Sequence, residues 1–377
     1  DKSETGGRTI CAGTLQLGVV GSLGRFTAQL SYDVILAVNS SYTLVLDVAV
    51  GGTGSLQQNG TGTTVLAADN SYSGGTTINA GTLQLGNGGT TGSIAGDVAN
   101  NGTLSFNRSD QLIFSKAISG TGSVTQDGAG TTLMTGTNTY SGATRVNAGT
   151  LQQKMSGSFS AASDYTVAAN ATLDNGGYKT TLASLNNSGT VNFGTNPGAV
   201  VNVTGNYTGN GGMLVLNTVL GDDSSKTDLL KVGGDTSGTS TVKVNNRGGM
   251  GAKTSEGIKI ISVGGQSNGT FNLAGDYTTK DGQQAVVAGA YAYSLHEGGV
   301  SSPADGDWYL RSELKDGTGP IINPGVPLYQ GAVVAMPTPH QLPTLQQRVG
   351  IRYWDGAAIP VNQQGPASSL HAHEGPL

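Results

Sequence analysis

The chain has 377 residues, of which 62 are glycine and only 11% are charged, with a formal net charge of −5. Average domains hold about 7% glycine and about 25% charge, and Gly, Thr, Ser and Asn all rank low in helix propensity, which excludes a helical protein. Glycine without a three-residue period excludes collagen, the negative balance gives no electrostatic reason for nucleic acid, and 36% apolar side chains exclude disorder driven by charge.

From the N-terminus, Asp1 to Gly7 lacks the charged and apolar regions of a signal peptide. The chain starts inside a repeat and reads as a fragment or a processed product. Cys11 is the single cysteine, so no intrachain disulfide forms. No run of about 18 apolar residues exists, so no transmembrane helix is expected. The segment Gly6-Gly-Arg-Thr-Ile-Cys-Ala-Gly-Thr-Leu-Gln-Leu17 recurs at Gly74 to Leu85 and again at Gly142 to Gln153. Its starts at 6, 74 and 142 give a constant unit length of 68. An ungapped comparison of Gly52–Leu85 with Gly120–Gln153 gives 20 identities in 34 positions.

Within the unit, apolar residues alternate. Thr76, Ile78 and Ala80 lie at spacing two, followed after Gly81 by Leu83 and Leu85. That period predicts short strands with one buried and one wet face. Asn59-Gly60, Asn87-Gly88, Asn101-Gly102 and Asp127-Gly128 are expected to supply the positive φ of tight turns. Short strands at a long period imply stacked coils; at about 22 residues per three-sided coil, one unit would make about three coils. The expected fold is all-β, a right-handed parallel β-helix, the hand following from the crossover rule.

The repeat fades near residue 200. Strands are still expected at Met213–Leu216, Leu229–Val232, Thr241–Val244, Ile258–Val263, Gln284–Val287, Tyr291–Leu295 and Trp308–Leu310, with a turn at Asp305-Gly306. The late aromatics are large enough to close the open end of a column, which otherwise invites edge-to-edge association. Nine of the 11 prolines lie at or after Pro320, so the tail is not solenoid. The expected organisation is a repeat β-helix over 1–199, a capping region over 200–318, and a linker with at most one short helix over 319–377.

Gly120-Thr-Gly-Ser-Val-Thr-Gln-Asp-Gly-Ala-Gly-Thr-Thr-Leu, then Asn138-Thr-Tyr-Ser-Gly142 and Val146-Asn-Ala-Gly-Thr-Leu151, resemble the passenger repeat of bacterial autotransporters. Gly205-Asn-Tyr-Thr-Gly209, Leu214 to Thr218, Gly233 to Gly238, Gly289 to Leu295 and Asp307-Trp-Tyr-Leu310 are similar to the pertactin-like C-terminal passenger region. Pro327-Leu-Tyr329 and Pro343 to Val349 resemble the stretch that leads into the translocator. The resemblance implies a β-helix passenger carried across the outer membrane by a C-terminal β-barrel partner. It also implies an autochaperone over about 200–314 that folds first and templates the coils. No barrel pattern follows Asp355, so the chain as written does not anchor itself, and it reads as truncated.

Catalytic constellations are sparse. His296 is the one histidine on the expected frame, read as an exposed strand-end residue; His340, His371 and His373 lie in the tail. His371-Ala-His373-Glu374 has zinc-type donors but no fourth ligand nearby. Cys11 takes the place of Asn79 and Asn147 and reads as a tolerated surface substitution. Asp222, Asp223 and Asp228 could gather calcium oxygens, although Asx turns account for them as well. Tyr72 and Tyr140, at matching positions, are expected at a coil corner as stacked aromatics, the alternative being a ligand face. Asn-x-Thr sequons such as Asn101-Gly-Thr103 follow from composition. Asp69, Asp97, Asp110, Asp127 and Asp164 are isolated in sequence, and paired carboxylates in a groove would be needed for glycan cleavage.

The expected function is a non-enzymatic, surface-exposed or secreted passenger, adhesive or structural, with no catalytic, cofactor or metal residues. A host or neighbouring-cell ligand is the expected contact, and the outer membrane or cell surface the expected location. The alternatives are a passenger hydrolase acting on glycan or peptide, and a remnant without function of its own.

Overall fold

The alternation read from Thr-x-Ile and Thr-Leu-x-Leu runs is realised in strands mostly of three or four residues. A computed structural model describes residues 8–10, 13–17, 24–26 and 30–312. Contacts divide the chain into Asp1–Asn323 and Pro324–Leu377, and every described residue belongs to the first unit. The expected tail over 319–377, with its proline-rich linker, lies outside the described residues. Among the described residues there is no helix, and so none long and apolar enough to cross a membrane. The chain forms a parallel β-solenoid.

Three faces make up the column. On the first, Thr76–Ile78 lies between Ser55–Gln58 and Val98–Asn100. On the second, Thr82–Leu85 lies between Thr63–Leu66 and Thr103–Phe106. On the third, Thr131–Met134 lies between Gln111–Phe114 and Thr150–Gln153. The chain visits first, second and third face in turn, and every pairing along the repeat is parallel. Inward Leu36, Leu56, Ile78, Leu83, Leu104 and Val124 are fully buried and join one continuous core. No single coil could cover these side chains alone; each buries its neighbour's.

The coil is shorter than the about 22 residues expected of a three-sided coil. Leu56 faces Leu36 behind and Thr76 ahead, and Val124 faces Leu104 and Thr144. Hydrogen bonds between neighbouring coils, such as Val50 to Asn70 and Ile118 to Asn138, likewise join positions separated by 20 in sequence. Each 68-residue unit therefore passes ten face positions, most of them strands and the rest single bridges, which makes three and a third coils instead of three. Thr14–Leu17 sits on the first face beside Ile35–Val38. Its copy Thr82–Leu85 is on the second face, and the next copy, Thr150–Gln153, is on the third. This is possible because the three faces use strands of nearly equal length around a shared interior.

Glycine mostly does a different job from the one its turn context implied. Of the four expected turn glycines, Gly88 has positive φ (76°), whereas Gly60, Gly102 and Gly128 do not; Gly81 (63°) and Gly149 (56°) are left-handed positions of the repeat. At Gly128 an added Cβ would stand 2.2 Å from the Arg108 carbonyl oxygen of the coil before it. The turn backbones lie in contact, so glycine is required there for close stacking. Replacing Gly128 by alanine should destabilise the chain by about 1–3 kcal/mol, since backbone on both sides must move. Alanine in place of the open Gly88, whose Cβ would meet nothing within 4 Å, should cost less, confined to its left-handed φ. Paired thermal melts of the two variants check this ordering.

Beyond Tyr207 the coils lengthen. Tyr207 faces Thr236, Thr239 faces Thr270, and Arg247 reaches back across a separation of 30 to Asn217 on the coil before. The long strands Tyr207–Thr218 and Thr236–Asn246 bend from second to third face, where the pairing slips between Asn210 and Met213. The seven strands expected in this region all form. On the first face, the sheet beyond Ile258–Val263 turns antiparallel, through Trp308–Arg311, Tyr291–Glu297, Gln284–Ala288 and Tyr277–Thr278. This meander replaces the next coil and covers the edge that a parallel stack leaves open.

Candidate functional site

The outward surface of the faces is built by the same alternation that fills the core. On the second face, Thr125, Arg145, Thr166, Asn186, Thr208 and Ser237 follow one another in register. Apart from the guanidinium of Arg145, these are hydroxyl and carboxamide groups, recurring about every 4.8 Å along the axis. On the third face Gln152 Nε2 and Asn192 Nδ2 donate to Asp174 Oδ2 at 2.9 and 3.1 Å. At the coil corners Asn79 Nδ2 donates to Asn59 Oδ1 (2.7 Å), and Asn147 Nδ2 to Asp127 Oδ1 (2.6 Å). Each bond joins side chains of neighbouring coils, so the surface is held at fixed spacing.

Tyr72 and Tyr140 are neither corner stacks nor a ligand face. Both are buried in the core, their hydroxyls bonded to Thr76 and Thr144 at 2.8 and 2.7 Å. Burial pushes both phenols up from the ordinary value, so they stay neutral. Sequence reading missed two further interior groups. Gln58 and Gln126 each donate to a turn carbonyl and accept from Thr64 and Thr132. Asn70 and Asn138 each bridge three coils: Oδ1 accepts from Val50 or Ile118 N–H, and Nδ2 donates to Ser93 or Ser158 C=O. Their return in successive units was the available signal, but a polar residue at a strand end carries no sign of its burial.

His296, expected as exposed, is 5% exposed, and its Nε2 lies 2.7 Å from Ser294 Oγ. The Ser–His contact is buried inside the capping sheet. Cys11, His340, His371, His373 and Glu374 lie outside the described residues.

The acidic trio does not converge. Asp222 closes a turn on Ser224, and Asp223 accepts the backbone N–H groups of Ser255, Glu256 and Gly257. Asp228 is fully buried and accepts four N–H bonds, from Gly198, Ala199 and Asn217 backbone and from Asn217 Nδ2. Their oxygens are engaged by hydrogen-bond donors, and among the described residues no group of three metal-type side chains occurs.

Three stretches of the chain match the models of two known families. Residues 56–85 and 124–152 match the passenger-associated transport repeat, and residues 180–295 match the type 1 autochaperone domain. The chain is 39% identical over 361 residues to the adhesin BmaC autotransporter of Brucella suis, covering 86% of this chain and 10% of that protein. It carries the repeat and autochaperone domains of an autotransporter passenger. An uncharacterised Escherichia coli protein, YuaQ, is 36% identical over 219 residues, covering 57% of this passenger and 15% of YuaQ. The autotransporter adhesin AIDA-I of Escherichia coli is 44% identical over 110 residues, covering 29% of this passenger and 8% of AIDA-I. The passenger spans about a tenth of the length of these curated relatives.

Two carboxylates do meet in the passenger's repeat. Asp110 takes a two-pronged bond from Arg108 (2.9 and 2.8 Å), and Asp69 lies 3.4 Å from the same guanidinium. Glycan cleavage asks for one carboxyl with a raised pKa. Here the hydrogen bond from Arg108 holds Asp110 below the usual carboxylate range. The described groove of about 390 Å³, lined by Asp33, Thr53, Gly54 and Gly74 among others, holds a single carboxylate. Hydrogen bonds from Thr53 lower Asp33 too.

These lowered values have a sign. A carboxylate whose folded pKa is depressed stabilises the fold fully above its unfolded value, and that contribution disappears as pH falls through the folded one. Between about pH 5 and pH 2 the passenger should therefore lose stability more steeply than an Asp110→Asn variant. Denaturant midpoints across that range check the difference.

Proposed function

We propose that this chain is a non-enzymatic part of a surface-displayed passenger, adhesive or structural, carried to the outer membrane surface by a β-barrel translocator. Support comes from the ladder Thr125–Arg145–Thr166–Asn186–Thr208–Ser237, a rigid array of polar groups at one spacing. A single polar contact in water contributes only about 1 kcal/mol, but contacts repeated at fixed spacing combine as linked sites. The relatives named as adhesins point the same way. The division that fits this role places the repeat over 1–199 and the cap over 200–318. In this reading the cap forms first and offers Ile258–Val263 and the long strands before it as the template on which earlier coils add. The partner at the cell surface is a polymer with closely repeated polar groups.

The binding experiment coats beads with the whole chain and measures retention on cultured cells. Saturable binding, reduced at least tenfold by Thr166→Glu with Asn186→Glu, supports adhesion through the ladder. Release of sugar or peptide fragments by the chain, abolished by Asp110→Asn, would replace the reading with a hydrolase. Templating is read by pulsed hydrogen exchange during refolding: amides of 229–263 should be protected before those of 55–134. Simultaneous or reversed protection would remove the templating role.

A further inference from the structure

Each 68-residue unit advances the chain by ten face positions on a three-sided column, so every copy begins one face further round than the last. We infer that the number of units sets the direction in which the N-terminal surfaces point. Adding or removing one unit turns all coils on its N-terminal side by one face relative to the capped end. It also moves them about 16 Å along the axis, three and a third coils at about 4.8 Å each. Three units restore the original face. Where those coils bind a ligand, unit number re-aims the contact; the inference itself needs only the fold.

The unit carries the means to fit any face. Gln58 on the first face and Gln126 on the second make the same bonds: Nε2 to the Gly60 or Gly128 carbonyl at 2.8 Å, Oε1 from the Thr64 or Thr132 hydroxyl at 2.5 or 2.6 Å. Asn70 and Asn138 accept from Val50 and Ile118 N–H at 2.9 and 2.8 Å, again one face apart. A network tied to one face would have been rebuilt in the next copy; this one is reproduced. The interior is therefore nearly equivalent from all three sides, and the register of the stack follows strand count alone.

The seam is also favourable. Tyr72-Ser73-Gly74 and Tyr140-Ser141-Gly142 are identical, so deleting residues 74–141 leaves a junction that already exists in the chain. Ser55–Gln58, now paired with Thr76–Ile78, would instead lie on Thr144–Val146, where Ser123–Gln126 lies now. That moves it from first face to second.

The test measures spin-label distances in the full chain with Cys11→Ser. One label is placed at Gln57, and the second at either Asn202 on the first face or Thr208 on the second. In the parent chain Asn202 shares the face of Gln57, seven coils away at about 34 Å, and Thr208 is the more distant. In the deletion chain the order should reverse, with Thr208 four coils away at about 19 Å and Asn202 further. Duplicating residues 74–141 should carry Gln57 to the third face, making the two distances nearly equal. Asn202 remaining clearly the nearer site in either variant would overturn the inference. So would the failure of both variants to fold, because interchangeable faces are what it asserts.

Discussion

Replacing Trp308 by alanine should lower the stability of the C-terminal coils by about 3–5 kcal/mol, the range for removing a large aromatic from a packed core. The indole is 8% exposed and meets Phe271 edge-on at 5.2 Å, and Phe271 in turn stacks on Tyr207 at 5.8 Å. These rings fill the end of the column where inward Leu and Val would otherwise face water. The strand that carries Trp308 is also the one that pairs antiparallel with Ile258–Val263. Loosening it uncovers a strand edge, so the variant should associate at concentrations where the parent chain stays monodisperse. Hydrogen exchange resolved by segment checks the first effect: protection should fall most over 258–310 and least over 55–134. Light scattering checks the second. Ile113→Thr, at a side chain already 64% exposed, serves as the control and should change stability by less than about 0.5 kcal/mol.

Asp228→Ala should cost about 3 kcal/mol or more, because it strands four N–H donors at once, three of them buried. The carboxylate sits where the shorter coils of the repeat give way to the longer ones of the cap. It bonds the turn at Gly198 and Ala199 to the end of the strand Tyr207–Thr218. Asparagine should not rescue the site. Oδ1 of a carboxamide accepts on one side only, and its NH2 group would point at N–H donors on the other. Burial raises the Asp228 pKa even against those four bonds. Denaturant titrations of wild type, Asp228→Asn and Asp228→Ala at pH 7 and pH 4 check both points. Near-wild-type stability of Asp228→Asn would mean that the donors find other acceptors.

Much of the architecture is legible in residue order. Alternation at Thr76–Ile78 and Thr82–Leu85 fixes which side chains turn inward, and the C-terminal strands from Met213 to Leu310 form where their apolar runs lie. What failed was the coil length. Composition and turn spacing do not say how much chain a corner consumes, and a small difference at each corner separates three whole coils from three and a third. The glycines misled for a related reason. Asn-Gly and Asp-Gly signal a turn, but whether Gly128 is needed for its φ or for its missing Cβ depends on the coil beneath it. The candidate site was readable only as chemistry that is scarce. His296 changed from surface to interior because a strand-end position in sequence carries no record of what folds over it.

The sequence by itself determined the strand period, the repeating unit, the change of pattern near residue 200 and the need for an aromatic end. These are local properties, set by side-chain alternation and backbone preference. Only the tertiary structure decided which face each copy occupies, which polar groups are buried in the column, and that an antiparallel meander closes it. Those depend on contacts between positions 20 or more apart in the chain, and on the few ångströms of turn geometry that accumulate coil by coil into rotation.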